Sequence, residues 1–378
     1  MTDWRIPLSD LDYGEEERAA VERVLRSKWL SMGPEVAAFE SEFAETQGLR
    51  HAVAVANGTA ALHLSLAVAG VGAGDEVVQP ALNFVAAANM TVALGAVPVF
   101  ADIVGLEEPT ISAGEVARLI GPRTKAVVAM HYGGNLARVA EIRRLCDERG
   151  LVMIEDACHA VGAPARGVKA GGFGELAAFS FFSNKNLAIG EGGMVATSSD
   201  DFAKRLRLLR SHGMTSLSWD RHSGHASSYD VVAHGYNYRL DDLHAALGRA
   251  QLAKLPANNQ KRRELLRAYR SGLRLSDGWL MPFADHIESS SGHLMALLAP
   301  NADARNRLAG RLREAGIQTS MHYPCIADFE AFASSRTSAI PITREFAKRA
   351  ITLPMFATMA FEQVREAAEA VNAQATEL

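Results

Sequence analysis

A chain of 378 residues that is 48% hydrophobic has material for a sizeable core, enough for one large domain and a smaller one. A formal net charge of -4 leaves no broad basic surface and argues against binding along a nucleic-acid backbone. Three cysteines, Cys146, Cys158 and Cys325, are odd in number and widely spaced, which excludes a disulfide framework or a zinc pattern and suits a reducing cytoplasm.

The first residues, Met1 to Ile6, lack the charged-then-apolar layout of a signal, and no apolar run reaches transmembrane length, so a cytoplasmic protein is expected. Residues 13 to 27 predict an amphipathic helix, with Val21, Val24 and Leu25 on one face and Glu15 to Glu17 at its positive end. A second helix is expected from Pro34 to Thr46. His51 to Ala56 reads as a buried strand running into Asn57-Gly58-Thr59, which opens a helix from Ala61. Strand, Gly-Thr turn and helix start suit an anion, because free amides and the helix dipole face the turn. The same residues also suit a simple cap. The spacing is not that of a P-loop or a dinucleotide fingerprint.

Glu76 to Pro80 is a short strand, followed by Asn83 and Phe84 at the start of another helix. Phe84 fits either a ring that stacks on a flat ligand or ordinary core packing. Val97 to Asp102, Lys125 to Met130 and Leu151 to Ile154 are further strands. Strand and helix alternate from residue 51 to 156, which calls for a largely parallel sheet covered by helices. Ligands bind such sheets beyond the carboxyl ends of the strands, where Thr59, His131, Asp156 and His159 fall. Asp156 fits an ion pair with a protonated cofactor ring or a cap on the next segment.

Two strands, Leu176 to Phe182 and Met194 to Thr197, flank the stretch Ser183-Asn184-Lys185-Asn186 and Gly190-Glu191-Gly192-Gly193. A lysine held between apolar strands loses solvation, which lowers its pKa and frees the amine as a nucleophile. Taken alone, Lys185 is equally a surface lysine in a hairpin turn. A charged helix follows from Asp200 to Ser211, then a polar loop to His234. In that loop His222 and His225 lack a third ligand, so no metal is expected. A helix begins near Asp241 and runs through Leu247. From about residue 251 the texture changes to a bridging helix over 258–273, a strand at Leu294 to Leu298, a helix from Ala302 to Ala315, a strand at Ile317 to Met321 and a last helix from Phe361 to Val371. The division expected is a large domain over 1–250 and a small α/β domain over 251–378.

Four features fit one ligand: a phosphate turn at Gly58-Thr59, a stacking ring at Phe84, an acid at Asp156 and a Schiff-base lysine at Lys185. They are the parts needed to hold pyridoxal 5'-phosphate. The lysine amine, once released, is placed to carry the proton removed from a substrate Cα.

Nearly the whole chain, from Ile6-Pro7-Leu8 to Leu353-Pro354, resembles the DegT/DnrJ/EryC1/StrS aminotransferases. The motifs that carry the resemblance are Asn57-Gly58-Thr59-Ala60-Ala61-Leu62, Glu155-Asp156-Ala157, Phe179-Ser180-Phe181 with Lys185, Gly190-Glu191-Gly192-Gly193, Gly235-Tyr236-Asn237-Tyr238-Arg239 and His322-Tyr323-Pro324. The resemblance implies an α/β, aspartate-aminotransferase-like fold (PLP-dependent fold type I), with a mostly parallel mixed sheet and a smaller C-terminal domain. It implies Lys185 as the cofactor lysine, Asp156 as partner of the pyridinium and Phe84 on the ring. Ser180 would bind phosphate opposite Gly58 and Thr59, and His159 would sit by the ring hydroxyl. Asn237 would reach the phosphate of the partner subunit in an obligatory homodimer, with Arg239 close by. Arg239, His322 and Tyr323 are candidates for substrate contact, as is the loop from Thr215 to His234. Asn83 and Cys158 depart from the residues usual at their positions, Thr and Ala, and His159 stands where Gln is frequent.

The activity implied is transfer of an amino group from L-glutamate to a keto sugar nucleotide, with a dTDP-4-keto-6-deoxyhexose as the acceptor favoured by Phe181 to Leu187. The alternatives are a 3-keto sugar nucleotide, a keto-cyclitol, a PLP-dependent lyase or dehydratase, and a non-catalytic regulatory member. Lysine at 185, where dehydrating relatives carry histidine, argues for transamination.

Overall fold

The structure, a computed structural model, describes residues 4–165, 167–216, 219, 222, 224, 227–275, 278–337 and 339–375. Two helices come first, α1 (Glu15–Ser27) and α2 (Pro34–Gln47). The Glu17 carboxylate accepts from the Gly14 amide at 2.6 Å, closing the first turn of α1 with acidic residues at its positive end. Then strands and helices alternate: β1 (His51–Val55), α3 (Gly58–Val68), β2 (Glu76–Pro80), α4 (Ala86–Ala93), β3 (Val97–Ala101), α5 (Ala113–Leu119), β4 (Thr124–Met130), α6 (Val139–Arg149) and β5 (Val152–Asp156). A two-residue hairpin, β6 (Pro164–Ala165) with β7 (Val168–Lys169), precedes β8 (Leu176–Ser180) and β9 (Gly193–Thr197).

The main sheet has the order β1-β9-β8-β5-β4-β2-β3, with a last two-residue strand, β11 (Arg336–Thr337), beside β3. From β8 to β11 all neighbours run parallel, and β9 alone runs against both of its neighbours. The expected mostly parallel α/β sheet is therefore the fold. Its strands are buried on both faces, under α3 on one side and, on the other, under Phe39 and Phe43 of α2, where Phe43 packs on Phe179 of β8.

Beyond the sheet come α7 (Asp200–Arg210) and α8 (Asp242–Gly272). The sequence suggests two helices over the latter span, yet α8 is continuous through Pro256. A proline removes one backbone hydrogen bond, and burial of Gln251, Leu252, Leu255 and Asn259 around it holds the helix together. The expected boundary at residue 250 falls inside this helix. After it, β10 (Met295–Leu298) pairs antiparallel with β12 (Ala350–Leu353), under α9 (Ala302–Glu314), α10 (Pro341–Arg349) and α11 (Phe361–Ala375). The expected strand at Ile317 to Met321 is not one. Ile317 makes a single bridge to Ile6 and Ser320 one to Thr352, so the segment crosses between two partners instead of following either. The true partner of β10 is the short run ending at Leu353.

Candidate active site

The strand register brings the predicted residues together. Met130 and Asp156 stand abreast at the carboxyl ends of β4 and β5, beside Ala178 of β8, two residues before Ser180 ends that strand. Gly193 pairs with Val55 on one side and Ser180 on the other, so the start of α3 lands beside Ser180. A Cβ on Gly193 would lie 2.5 Å from the Asn57 carbonyl oxygen, and one on Gly58 would lie 2.8 Å from the Ser180 Cβ. Both glycines are thus needed for close approach rather than for an unusual φ. Gly190 is different: its φ of 90° is the left-handed turn that returns the chain into β9.

Asn57 caps α3 through its side chain, which accepts from the Ala60 amide at 2.8 Å. The capping alternative is therefore real, but it leaves the amides of Gly58 and Thr59 with no helical carbonyl to satisfy them, and Gly58 stands against Ser180. These residues line a cleft of about 430 Å³ that also takes in Asn83, Phe84, Asp156, Cys158, His159, Asn184, Lys185, Glu191, His322 and Tyr323. A second cavity of about 410 Å³, between Arg138, Pro164 and Phe283, gathers none of the sequence-predicted residues.

Asp156 is buried at 4% exposure. Its Oδ2 accepts from the Asn83 side-chain amide at 3.0 Å and its Oδ1 from the Cys158 backbone amide at 3.3 Å. Asn83, which reads in the sequence as a departure, is thus a holder of the carboxylate. Its own Oδ1 accepts from the Phe84 amide at 2.7 Å. Phe84 is 55% exposed, which places it at the cleft mouth instead of in the core. Lys185 is half-buried, and burial lowers the pKa of its amine while the charges of Cys158 and Asp156 oppose the shift.

The neighbouring residue Glu155 points to the opposite face of β5 and is buried completely. It accepts from His131 Nε2 at 2.8 Å and from the amides of Gly171, Phe173 and Gly174. His131 Nδ1 accepts from the Ala137 amide at 3.2 Å, so His131 is an anchor of the strand ends and does not line the cleft. Burial would raise the Glu155 pKa, but these hydrogen bonds outweigh it and hold the pKa below the usual carboxylate value. A carboxylate with a depressed folded pKa stabilises above its unfolded pKa, and the contribution is lost as pH falls through the folded pKa. Replacing Glu155 with Gln puts an amide against donors, and a loss of about 3 kcal/mol at neutral pH is expected. Urea unfolding of both proteins checks this, and the gap should narrow in acid.

His159 pairs through Nε2 with the Tyr323 hydroxyl at 2.8 Å, and the two rings stack with centroids 5.8 Å apart. His322 pairs with Thr352 Oγ1 at 2.9 Å, and burial pushes its pKa down to about 4. Asn237 and Arg239 lie elsewhere. They run along the free edge of β1, where Arg239 bridges Val55 and Asn237 bridges Ser211, and neither lines the cleft of its own chain. Asn237 is exposed. Burial lowers the Arg239 pKa, with Arg210 adding to it. His225 and part of the loop over 215–234 lie outside the described residues, and none of the described loop residues lines this cleft. Its His222 ring packs on Trp29 with centroids 4.7 Å apart.

A family model for the DegT/DnrJ/EryC1/StrS aminotransferases matches residues 11–372. The chain belongs to this family. It is similar to the spore coat polysaccharide biosynthesis protein SpsC of Bacillus subtilis (strain 168), with 37% identity covering 95% of this chain and 94% of that one. Among solved structures, S. venezuelae DesV is 34% identical, with a TM-score of 0.91 and 99% of each chain covered. The PLP form of Spr1654 from Streptococcus pneumoniae is 26% identical, with a TM-score of 0.91 and coverage of 98% and 99%. The protein is an aminotransferase, and aminotransferases of this family use pyridoxal phosphate. Among the described residues no helix is long and apolar enough to cross a membrane.

Proposed function

We propose that the cleft holds pyridoxal 5'-phosphate and that the protein moves an amino group from L-glutamate to a keto sugar nucleotide, a dTDP-4-keto-6-deoxyhexose. The observation that carries this reading is the convergence in one cleft of Lys185, a buried Asp156 and the Gly58–Ser180 cradle. Their chemistry fits the cofactor: unsatisfied first-turn amides suit a phosphate, a buried carboxylate suits a protonated ring nitrogen, and an exposed aromatic suits a flat ring. The bound cofactor supplies an electron sink for cleavage of a substrate Cα–H bond.

The side chains divide the remaining work. Gly58, Thr59 and Ser180 bind phosphate, and Phe84 covers the ring. Asp156, fixed by Asn83 and Cys158, holds a proton at the ring nitrogen. His159 stands by the ring hydroxyl, tied to Tyr323. The Lys185 amine takes a proton and returns it, a task suited to an amine whose pKa burial has lowered. Asn237 reaches the phosphate of a partner subunit, so the working unit is a homodimer; its exposure outside its own cleft supports this. Arg239, His322 and Tyr323 contact substrate. The keto sugar reading rests on the likeness to SpsC and DesV together with a cleft roomy enough for a bulky acceptor.

The test adds L-glutamate alone to the PLP-loaded protein. Release of one 2-oxoglutarate per site supports transamination, and no release with any amino donor rejects it. A panel of keto sugar nucleotides then identifies the acceptor. The cradle is tested by Gly58→Ala: its Cβ, 2.8 Å from that of Ser180, should raise the Kd for pyridoxal phosphate about 10- to 100-fold. An unchanged Kd in spectroscopic titration of the apoprotein would place the phosphate elsewhere.

A further inference from the structure

Asn237, the residue that the reading above sends into the partner's site, has a tyrosine on each side. The segment from Gly235 to Arg239 is no regular strand and is held between two stretches of chain. The amides of Tyr236 and Tyr238 donate to the carbonyls of Leu209 and Arg210 at 2.7 and 3.0 Å, and the Tyr238 carbonyl accepts from the Ala56 amide at 2.8 Å. The two tyrosine rings lie on one side, stacked with centroids 5.0 Å apart and planes 9° from parallel. Both are half-buried, whereas Asn237 between them is exposed, as alternation along a bridged backbone requires.

What the rings pack on is His63. It sits on α3 at 6% exposure, with its ring 4.8 Å from that of Tyr236 and 5.8 Å from that of Tyr238. Its Nδ1 pairs with the Tyr238 hydroxyl at 2.9 Å. Burial lowers the His63 pKa, and a neutral imidazole complements a hydroxyl without bringing a charge inside. Backbone hydrogen bonds alone cannot set the facing of the segment, because any residue makes them. A slip of one position would keep such bonds and turn Asn237 inward. The pairing of two tyrosines with one buried histidine allows a single facing. The same helix begins at Gly58, and Ala56, two residues before it, carries the Tyr238 carbonyl. The phosphate turn of a subunit and its Asn237 therefore belong to one packed unit.

We propose that His63 is a positioning residue for the partner's site: by seating Tyr236 and Tyr238 it turns Asn237 outward, toward the phosphate held in the other subunit. This rests on the homodimer with shared sites proposed above. His63 does not line the cleft of its own chain, so its effect on cofactor binding falls on the other subunit.

The test is spectroscopic titration of the apoprotein with pyridoxal phosphate. Asn237→Ala should raise Kd about tenfold, as expected for one hydrogen bond to a charged group. His63→Phe keeps a ring but loses the pairing atom; it should raise Kd about fivefold, and should add little in a protein that already carries Asn237→Ala. Mixed dimers, purified through a different tag on each subunit, locate the effect. Covalent uptake needs Lys185, so Lys185→Ala silences one subunit. With His63→Phe in the silenced subunit, the intact partner should bind more weakly. With His63→Phe in the subunit that keeps Lys185, Kd should match that of a mixed dimer without the His63 change. Weakening in this second pairing, alone or together with the first, would make His63 a support of its own helix and overturn the proposal. So would a His63→Phe effect that adds in full to that of Asn237→Ala. Tyr238→Phe removes only the hydroxyl and replaces His63→Phe in the same pairings if that variant does not fold. An unchanged Kd in Asn237→Ala rejects the shared site and this inference with it. A weakened Asn237→Ala beside unaffected His63→Phe and Tyr238→Phe rejects this inference alone.

Discussion

Lys185→Ala will abolish transamination, with kcat falling by about 10⁴-fold or more. Among the described residues Lys185 is the only lysine lining the cleft that also holds Asp156, Ser180 and Phe84. Its loss removes both the covalent anchor of the cofactor and the group that carries the substrate proton. The phosphate cradle does not involve the lysine, so the variant should still take up pyridoxal phosphate without a covalent link. Lys185→Arg should be equally inactive, since a guanidinium keeps its charge and offers no free amine. Release of 2-oxoglutarate from L-glutamate measures all three proteins. Turnover that persists in the Ala variant would mean another amine does the work.

The same residue carries a pH signature. Burial lowers the pKa of the Lys185 amine, so a larger share is unprotonated at neutral pH than in free lysine. Covalent uptake of cofactor by the apoprotein should rise with pH and level off below the ordinary lysine pKa.

What was legible in the chain is what lies close together in it. Lys185 and the glycines after it belong to one strand–turn–strand unit, and Asp156 stands at the end of a plain buried strand, so period and position expose both. Gly193 looks like a turn residue because its reason for being glycine lies elsewhere: β9 pairs with β1, more than a hundred residues earlier, and presses Gly193 against Asn57. Asn83 reads as an oddity until β2 is seen to bring it to Asp156, 73 positions away. His63 and Tyr238 are 175 positions apart, and no local pattern marks their pairing. The continuous α8 was hidden by Pro256, because sequence propensity counts the lost hydrogen bond and cannot see the packing that offsets it. Short strands such as Ala350–Leu353 carry too few residues to show a period at all.

Asp156→Asn should lower kcat by about 10³-fold while leaving cofactor affinity much less affected, because it removes charge from a site that the phosphate cradle does not share. The geometry makes the substitution harsher than an isosteric change suggests. Both carboxylate oxygens already accept, Oδ1 from the Cys158 amide at 3.3 Å and Oδ2 from Asn83 Nδ2 at 3.0 Å. An amide at 156 must aim its own donor at one of these donors. Asn83 cannot simply flip to relieve the clash, since its Oδ1 holds the Phe84 amide at 2.7 Å. Charge and position are separated by Asn83→Ala, which keeps the carboxylate and removes one of its supports. That variant should lose only about tenfold in kcat, as expected for one hydrogen bond to a charged group. Single-turnover kinetics with L-glutamate on cofactor-saturated enzyme compares the two. If Asn83→Ala proves as damaging as Asp156→Asn, the carboxylate acts through its placement. If Asp156→Asn stays within tenfold of wild type, the ring nitrogen does not depend on this acid.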